Sequence, residues 1–285
     1  MEIDRQHVSE ADIPVRIAEP VPLLVTPDNP PWNSWAAIGV WAFSVMMIVF
    51  LPAVFLLPYL AYAGVMTESA EKLAEFAATD PTSIVVQMLA IVPAHLLTLG
   101  LAWIVVTRRG RFSSRQTLGW TGGGLRWWHH VLIFVAFFGL AVVVSSYFPE
   151  SENQLTRILK SSRAAVFVVA LMATFTAPLV EEVIYRGVLY SAFQRTAGKV
   201  FAVVAVTLIF SLVHVPQYYE SPSTVLLLTV LSLILTLMRV YSGSLLPSII
   251  FHTMVNGVQS IALIAEPYFV PTGEPQISAI QFLLN

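Results

Sequence analysis

The sequence TAPLVEEVIYRGVLY, residues 176–190, is apolar enough to form a helix inside a lipid bilayer, yet it contains two adjacent carboxylic acids, Glu181 and Glu182. Ionisable side chains at membrane depth are costly to desolvate, and where they occur they usually serve a function. This stretch therefore predicts a membrane-spanning helix that carries part of a functional site.

Two histidines lie in apolar stretches further along the chain. His214 ends the run VAVTLIFSLVH, and His252 lies within LLPSIIFHTMVNGV. If the tertiary structure brings these imidazoles to the two acids, together they supply the groups that acid–base chemistry needs.

The composition predicts an all-α polytopic membrane protein. Of the 285 residues, 56% are hydrophobic and 11% are charged, whereas about 25% are charged in a soluble domain. A membrane helix needs about 20 mostly apolar residues. Seven segments approach or exceed this length, near residues 36–64, 84–107, 131–148, 164–185, 198–214, 223–241 and 245–265. The polar stretch 187–198 could extend the fourth segment or add a span, so we expect about seven to eight membrane helices around an intramembrane catalytic cavity.

The composition also excludes several classes of function. The chain has no cysteine, which excludes disulfides, thiolate metal sites and cysteine nucleophiles. Its net charge of −2 argues against nucleic-acid binding, so membrane lipid and a substrate are the expected partners. The first 34 residues are polar and lack a signal-peptide pattern. We expect them to form a flexible tail before an uncleaved membrane anchor.

The loop charges predict the orientation of this multi-pass protein, because cytoplasmic loops are enriched in lysine and arginine. Residues 108–126 contain five arginines, whereas residues 66–83 are acidic. The first loop is therefore expected in the cytoplasm, and alternation of the spans places the N-terminus there too. The basic loop 149–163 falls on the opposite side and departs from the rule.

Glu181 and His214 are expected at the same depth on neighbouring helices. If the chain reverses near Gly198, Glu181 lies 17 residues before the turn and His214 lies 16 residues after it. Two continuous helical arms of nearly equal length bring both side chains to one level.

The remaining polar residues fall into two pairs with i, i+4 spacing. Glu182 and Arg186 have the favourable order for an ion pair, so we expect Arg186 to hold Glu182 in place while Glu181 points about 100° away. His252 and Asn256 share a helix face. A single helical histidine is usually a satisfied core residue, but an imidazole beside a carboxamide could also stabilise an oxyanion.

Three motifs on consecutive apolar segments carry a family resemblance. They are EEVIYR (Glu181, Glu182, Arg186), FSLVH (Phe210, His214) and HTMVN (His252, Asn256). In this order they resemble the EExxxR, FxxxH and HxxxN/B motifs of the type II CAAX prenyl endopeptidase family, whose bacterial branch is the Abi or CPBP family. The resemblance covers about residues 165–260.

The resemblance implies a peptidase and a role for each residue. Glu181 is similar to the carboxylate that activates water, and His214 to its partner that binds or orients this water. His252 and Asn256 are similar to the oxyanion-stabilising pair, while Arg186 supports Glu182. The implied activity is intramembrane endoproteolysis of membrane-associated or prenylated CAAX-like proteins.

The expected organisation has four parts: a tail at 1–34, N-terminal membrane helices at 35–163, a CPBP/Abi-like catalytic core at 164–265 and a C-terminal tail at 266–285.

Three alternatives to a metal-free peptidase stay open. Glu181, His214 and His252 would form a His₂Glu set with an open position, as in catalytic zinc sites, although the sequence has no HExxH. Zinc is thus a possible but not an obligatory cofactor. The same intramembrane acids and histidines could serve a transporter, or the protein could be a binding scaffold such as an immunity protein.

The orientation can be tested with single cysteines, because the natural chain has none. A cysteine replacing Ser114 in the arginine-rich loop should resist a membrane-impermeant thiol reagent in intact cells and react after permeabilisation. A cysteine replacing Thr67 in the acidic loop should react in both conditions. The reverse pattern would invert the topology.

Overall fold

Helices make up almost all of the computed structural model, which describes residues 24–148 and 153–269, with side chains to residue 265. Within these residues there is no β-strand, only an isolated bridge between Thr26 and Asn29. The α-helices are α1 (Ser34–Tyr62), α2 (Ala70–Thr79), α3 (Pro81–Leu89), α4 (Ile91–Thr107), α5 (Ser114–Leu118), α6 (Trp127–Tyr147), α7 (Gln154–Ser161), α8 (Arg163–Leu171), α9 (Ala177–Glu182), α10 (Tyr190–Ala197), α11 (Lys199–Tyr218), α12 (Pro222–Ser242) and α13 (Leu246–Phe269). Two π-helical segments, π1 (Met172–Thr176) and π2 (Val183–Leu189), flank α9.

Seven helical stretches of the described chain are long and apolar enough to cross a membrane. They are Ser34–Tyr62, Pro81–Thr107, Trp127–Tyr147, Arg163–Ala197, Lys199–Tyr218, Pro222–Ser242 and Leu246–Ala265. The prediction of an all-α polytopic bundle is confirmed, and the protein is an integral multi-pass membrane protein.

The fourth span is longer than the segment 164–185 expected from hydropathy. It continues to Ala197, so the polar stretch 187–198 extends this helix and does not form a separate span. The physical reason is burial within the protein: the side chains of Ser191 and Gln194 are 1% and 9% exposed. Polar residues at this depth contact other helices and the N-terminal segment, so hydropathy alone underestimates the length of the span.

The fourth span is also not a uniform α-helix, since π1 and π2 interrupt it before and after α9. Pro178 lies in the first turn of α9, directly after π1. Proline has no N–H to donate to the preceding turn, and a π-helical turn is a common adjustment near functional sites. Glu181 therefore lies on a short α-helical stretch between two wider turns.

The neighbours of the fourth span determine where the polar groups meet. Helix α9 contacts α13 and α4, and π2 contacts α1, α11 and α12. Helices α11 and α12 pack along each other, as do α1 and α4. The helix that carries the two acids is therefore surrounded by protein, with the histidine-bearing helices α11 and α13 among its neighbours.

The segment 24–33 is packed against the helix ends, which differs from the expected flexible tail at 1–34. Trp32 is 4% exposed and its indole N–H donates to the carbonyl of Val188 at 3.0 Å. A polar, proline-rich segment gives no local signal for such packing, because its partners lie between 77 and 212 residues away in sequence. The part of the expected tail at residues 1–23 lies outside the described residues.

Three arginines attach this segment to the bundle by donating to its backbone carbonyls. The acceptors are Pro31 for Arg108 at 2.7 Å, Trp32 for Arg195 at 2.8 Å and Pro27 for Arg239 at 3.0 Å. These three arginines and segment 24–33 therefore meet at one end of the bundle. At the other terminus, helix α13 continues to Phe269, and the rest of the expected C-terminal tail lies beyond the described residues.

Candidate active site

A cavity of about 200 Å³ lies among α6, α7, the fourth span, α11, α12 and α13. Its wall contains Glu181, His214, His252 and Asn256. The structure therefore brings together the four side chains for which sequence analysis predicted catalytic roles. The expected common depth of Glu181 and His214 agrees with their presence in one cavity.

Behind the cavity wall, Glu182 and Arg186 form an ion pair at 2.8 Å in which both side chains are 0% exposed. The predicted i, i+4 pairing is confirmed. The guanidinium also donates to the carbonyl oxygen and the hydroxyl of Ser232, at 2.9 and 2.8 Å, and to the Thr236 hydroxyl at 3.3 Å. It stacks 4.8 Å from the centre of the Phe210 ring. A buried ion pair needs such additional hydrogen bonds to offset its desolvation.

Glu182 has a second role, which is to hold His252. Nδ1 of His252 lies 3.0 Å from Oε1 of Glu182. Since a carboxylate accepts hydrogen bonds, Nδ1 carries the proton and Nε2 of the neutral imidazole is left with a lone pair. Nε2 lies 4.0 Å from Oε2 of Glu181. The two neighbouring acids therefore lie against opposite nitrogens of one imidazole.

His214 is fixed by its own helix. Its Nδ1 lies 2.7 Å from the carbonyl oxygen of Phe210, one turn earlier. A carbonyl only accepts, so Nδ1 carries the proton and Nε2 has a free lone pair. The Phe210 ring packs 4.7 Å from the His214 ring and 6.3 Å from the His252 ring, measured between centroids. Phe210 thus spaces the two imidazoles while Arg186 lies over it.

Glu181 differs from Glu182 in both exposure and partners. Its side chain is 26% exposed and lines the cavity, whereas Glu182 is fully buried. The distance of 4.0 Å to His252 is too long for a direct hydrogen bond but suits a bridging water. Glu181 is therefore the carboxylate that can meet water and substrate.

Asn256 is anchored to the π-helical turn. One N–H of its carboxamide donates to the carbonyl oxygen of Ala173, in π1, at 2.9 Å. One turn further on, Ser260 donates to the carbonyl of Ala170 at 3.2 Å and accepts from the Thr174 hydroxyl at 3.0 Å. The amide of Asn256 has a second N–H, which remains available to a ligand in the cavity.

A family model described as type II CAAX prenyl endopeptidase Rce1-like matches residues 163–258. This region is an Rce1-like domain. The match agrees with the resemblance over about 165–260 and contains all seven motif residues. The match to this family indicates peptidase activity in general, on a peptide or protein substrate. The chain matches no curated protein and no solved structure.

The described part of the Rce1-like domain does not assemble the alternative zinc site. Among residues 24–148 and 153–265, no three side chains of histidine, aspartate or glutamate are arranged to hold a metal ion. Glu181, His214 and His252 share the cavity, but Nδ1 of His252 is bound to Glu182 and Nδ1 of His214 to a carbonyl.

Several residues of the cavity wall were not found by sequence analysis. Gln217, Gln259 and the leucines of α7, Leu155 and Leu159, line it. They belong to no spaced motif, and an uncharged glutamine or a leucine in an apolar helix gives no local signal of a site. His95, in the second span, is a buried core histidine whose Nδ1 lies 3.1 Å from the Thr176 hydroxyl.

The buried ion pair can be tested by a double-mutant cycle. Arg186→Met leaves a buried, uncompensated carboxylate, so it should destabilise the protein by about 3–5 kcal/mol. Glu182→Gln combined with Arg186→Met should recover part of that loss, because no charge remains buried. Thermal unfolding in detergent measures both. The single variant Glu182→Gln completes the cycle, and a loss in the double variant equal to the sum of the two single losses would show that the two side chains are not coupled.

Proposed function

We propose that this protein is an intramembrane endopeptidase that hydrolyses membrane-associated protein substrates with a water molecule activated by Glu181 and His214. The observation that carries the proposal is the convergence of Glu181, His214, His252 and Asn256 in the wall of one cavity inside the helical bundle. The family match supports peptidase chemistry in the same residues.

The first step is activation of water. Glu181 is partly exposed in the cavity and accepts a proton from the water. Nε2 of His214 has a lone pair because its Nδ1–H is held by the Phe210 carbonyl, so it accepts the second hydrogen bond from the water and orients it. The hydroxide oxygen attacks the carbonyl carbon of the scissile bond and forms a tetrahedral oxyanion.

The oxyanion is stabilised from helix α13. The free N–H of Asn256 donates to it, since the other N–H is fixed on Ala173. His252 donates only when Nε2 carries a proton, and Glu181 lies 4.0 Å from that nitrogen. A proton passed from Glu181 to Nε2 gives an imidazolium that Glu182 holds from the other side. A donor that is fixed before the reaction, as the Asn256 N–H is, is worth about 2.7–4 kcal/mol.

Collapse of the intermediate breaks the C–N bond, and the leaving amine takes the proton that came from the water. Glu181 and His252 are the groups placed to return it. Peptide-bond hydrolysis is then balanced: one water is consumed, a carboxyl and an amine are formed, and each side chain returns to its first state.

The organisation and the substrate are part of the proposal. Residues 164–265 form the catalytic core, and helices within 35–163 support it. The arginines that meet segment 24–33 favour a cytoplasmic N-terminus.

The apolar wall of the cavity, which includes Phe137, Leu227 and Leu231, suits an apolar chain, so prenylated CAAX-like proteins are the proposed substrates. A transporter or immunity scaffold is the alternative that the next experiment separates.

Glu181→Gln should reduce kcat by at least about 100-fold, because general base catalysis contributes about 10²–10⁴-fold. Cleavage of a panel of quenched fluorescent peptides, prenylated and unprenylated, by the detergent-purified protein measures this. Glu75→Gln is the matched control, since Glu75 is exposed on α2. Membrane insertion and thermal unfolding should be unchanged in both variants.

Each outcome of this assay has a distinct meaning. Activity that disappears in Glu181→Gln and survives a zinc chelator supports the metal-free mechanism. Loss on chelation with recovery on added zinc would support the metalloprotease alternative. Wild-type turnover retained in Glu181→Gln would remove the role assigned to Glu181, and a transporter or scaffold would show no cleavage at all.

Asn256→Ala should lower kcat by about 10²–10³-fold, as loss of an oxyanion donor does elsewhere, with a smaller change in KM. Ser260→Ala provides the comparison, because Ser260 lies one turn away and also bonds a backbone carbonyl of the fourth span. The effect of Ser260→Ala on kcat should be small. An effect of Asn256→Ala confined to KM would reassign Asn256 to substrate binding.

A further inference from the structure

The cavity extends past the catalytic groups to two carboxamides that the proposed chemistry does not use. Gln217 on α11 and Gln259 on α13 both line it. Both side chains are partly buried, and neither has a hydrogen-bond partner among the described residues. A carboxamide has two donors and two acceptor lone pairs, so these groups present unused hydrogen-bonding capacity to whatever occupies the cavity.

Both glutamines lie to the same side of the catalytic residues. Gln217 follows His214 by three residues, and Gln259 follows Asn256 by three residues. Helices α11 and α13 are connected through α12 by short turns, so they run in the same direction. Each carboxamide is therefore displaced by about 4.5 Å along its helix from a catalytic side chain. An extended peptide advances about 3.3 Å per residue, so this places them one or two substrate residues from the scissile bond.

The side of the cavity with the glutamines also has apolar walls. Arg157 on α7 forms a 2.9 Å salt bridge with Glu220, which follows the end of α11. This contact places α7 beside the end of the helix that carries Gln217. Leu155 and Leu159 of α7 line the cavity. Apolar substrate side chains can pack there while the substrate backbone meets the carboxamides.

The described residues of the cavity wall supply no fixed cation for a carboxylate. Among the described residues of its wall, the ionisable ones are Glu181, His214, Tyr218 and His252, and there is no lysine or arginine. Arg186 lies behind the wall, paired with Glu182 and 0% exposed. A free C-terminal carboxylate in this cavity would face Glu181, and no lysine or arginine among the described wall residues would pair with it.

We infer that Gln217 and Gln259 form a subsite that binds the backbone of an extended apolar peptide one or two residues from the scissile bond. The recognised feature is an uncharged peptide group flanked by apolar side chains, and a C-terminal carboxylate is not required. The inference rests on the proposed function, because it assumes that the cavity receives a peptide.

Binding to the inactive Glu181→Gln protein tests the subsite without catalysis. The probe is a fluorescent apolar peptide in two forms, one ending in a carboxamide and one in a free carboxylate, titrated in detergent. The amide form should bind at least as tightly as the acid. Adding Gln217→Ala or Gln259→Ala should weaken binding of the amide by about twofold to tenfold, the value of one net hydrogen bond. Gln116→Ala, an exposed glutamine on α5, should have no effect.

Ester substitution in the peptide identifies the hydrogen bond directly. Replacing one backbone N–H by oxygen, at each of the two residues on either side of the scissile bond in turn, removes one donor. At the position that meets a glutamine, the ester should weaken binding to the parent protein and have no further effect in the matching Gln→Ala variant. If an alanine variant unfolds, Gln→Met keeps the length of the side chain and replaces it.

The outcomes separate this inference from the proposed function. Glutamine variants that bind both peptides like their parent, or a free acid that binds more than tenfold tighter than the amide, would overturn the subsite. Cleavage of the same peptide by the protein with Glu181 intact tests the proposed function separately. Glutamine-dependent binding without cleavage would retain the subsite and reject the peptidase, and cleavage without glutamine dependence would do the reverse.

Discussion

The site depends on one buried ion pair, Glu182 with Arg186, and on the need to satisfy both charges away from water. Arg186 uses its remaining donors on Ser232 of α12, and its plane lies over Phe210 of α11. Glu182 uses the same oxygen to hold His252 of α13. The pair therefore connects the fourth span to three other helices, and removing either charge would leave the other without compensation in a low-dielectric interior.

The two π-helical segments complement the ion pair. Helix α9, with both acids, lies between π1 and π2, and the carbonyl of Ala173 in π1 accepts from Asn256 on α13. Wider turns of this kind occur often at functional sites. In this protein the hydrogen bond from Asn256 to π1 joins the acid-bearing span to the helix that carries the proposed oxyanion donors.

Neighbouring acids in the sequence thus have opposite tasks. Glu182 is fully buried behind the cavity wall, where its charge holds Arg186 and His252 in place. Glu181 is partly exposed in the cavity and has no direct hydrogen bond to His252. Each imidazole likewise has one structural and one functional nitrogen. Nδ1 donates to a fixed acceptor, and Nε2 is available to water or substrate. In the proposed peptidase site, the Glu182–Arg186 pair that holds the helices together is therefore kept away from the substrate.

The sequence by itself determined the membrane class, the seven spans and the Glu182–Arg186 pair, because hydropathy and i, i+4 spacing are local properties of a helix. It also indicated Glu181, His214, His252 and Asn256, whose motif spacing carries the family resemblance. Only the tertiary structure decided that Glu182 orients His252, that segment 24–33 packs against the bundle, and that Gln217 and Gln259 share the cavity. These contacts join residues far apart in the chain, and their geometry depends on how the helices pack, which no local pattern encodes.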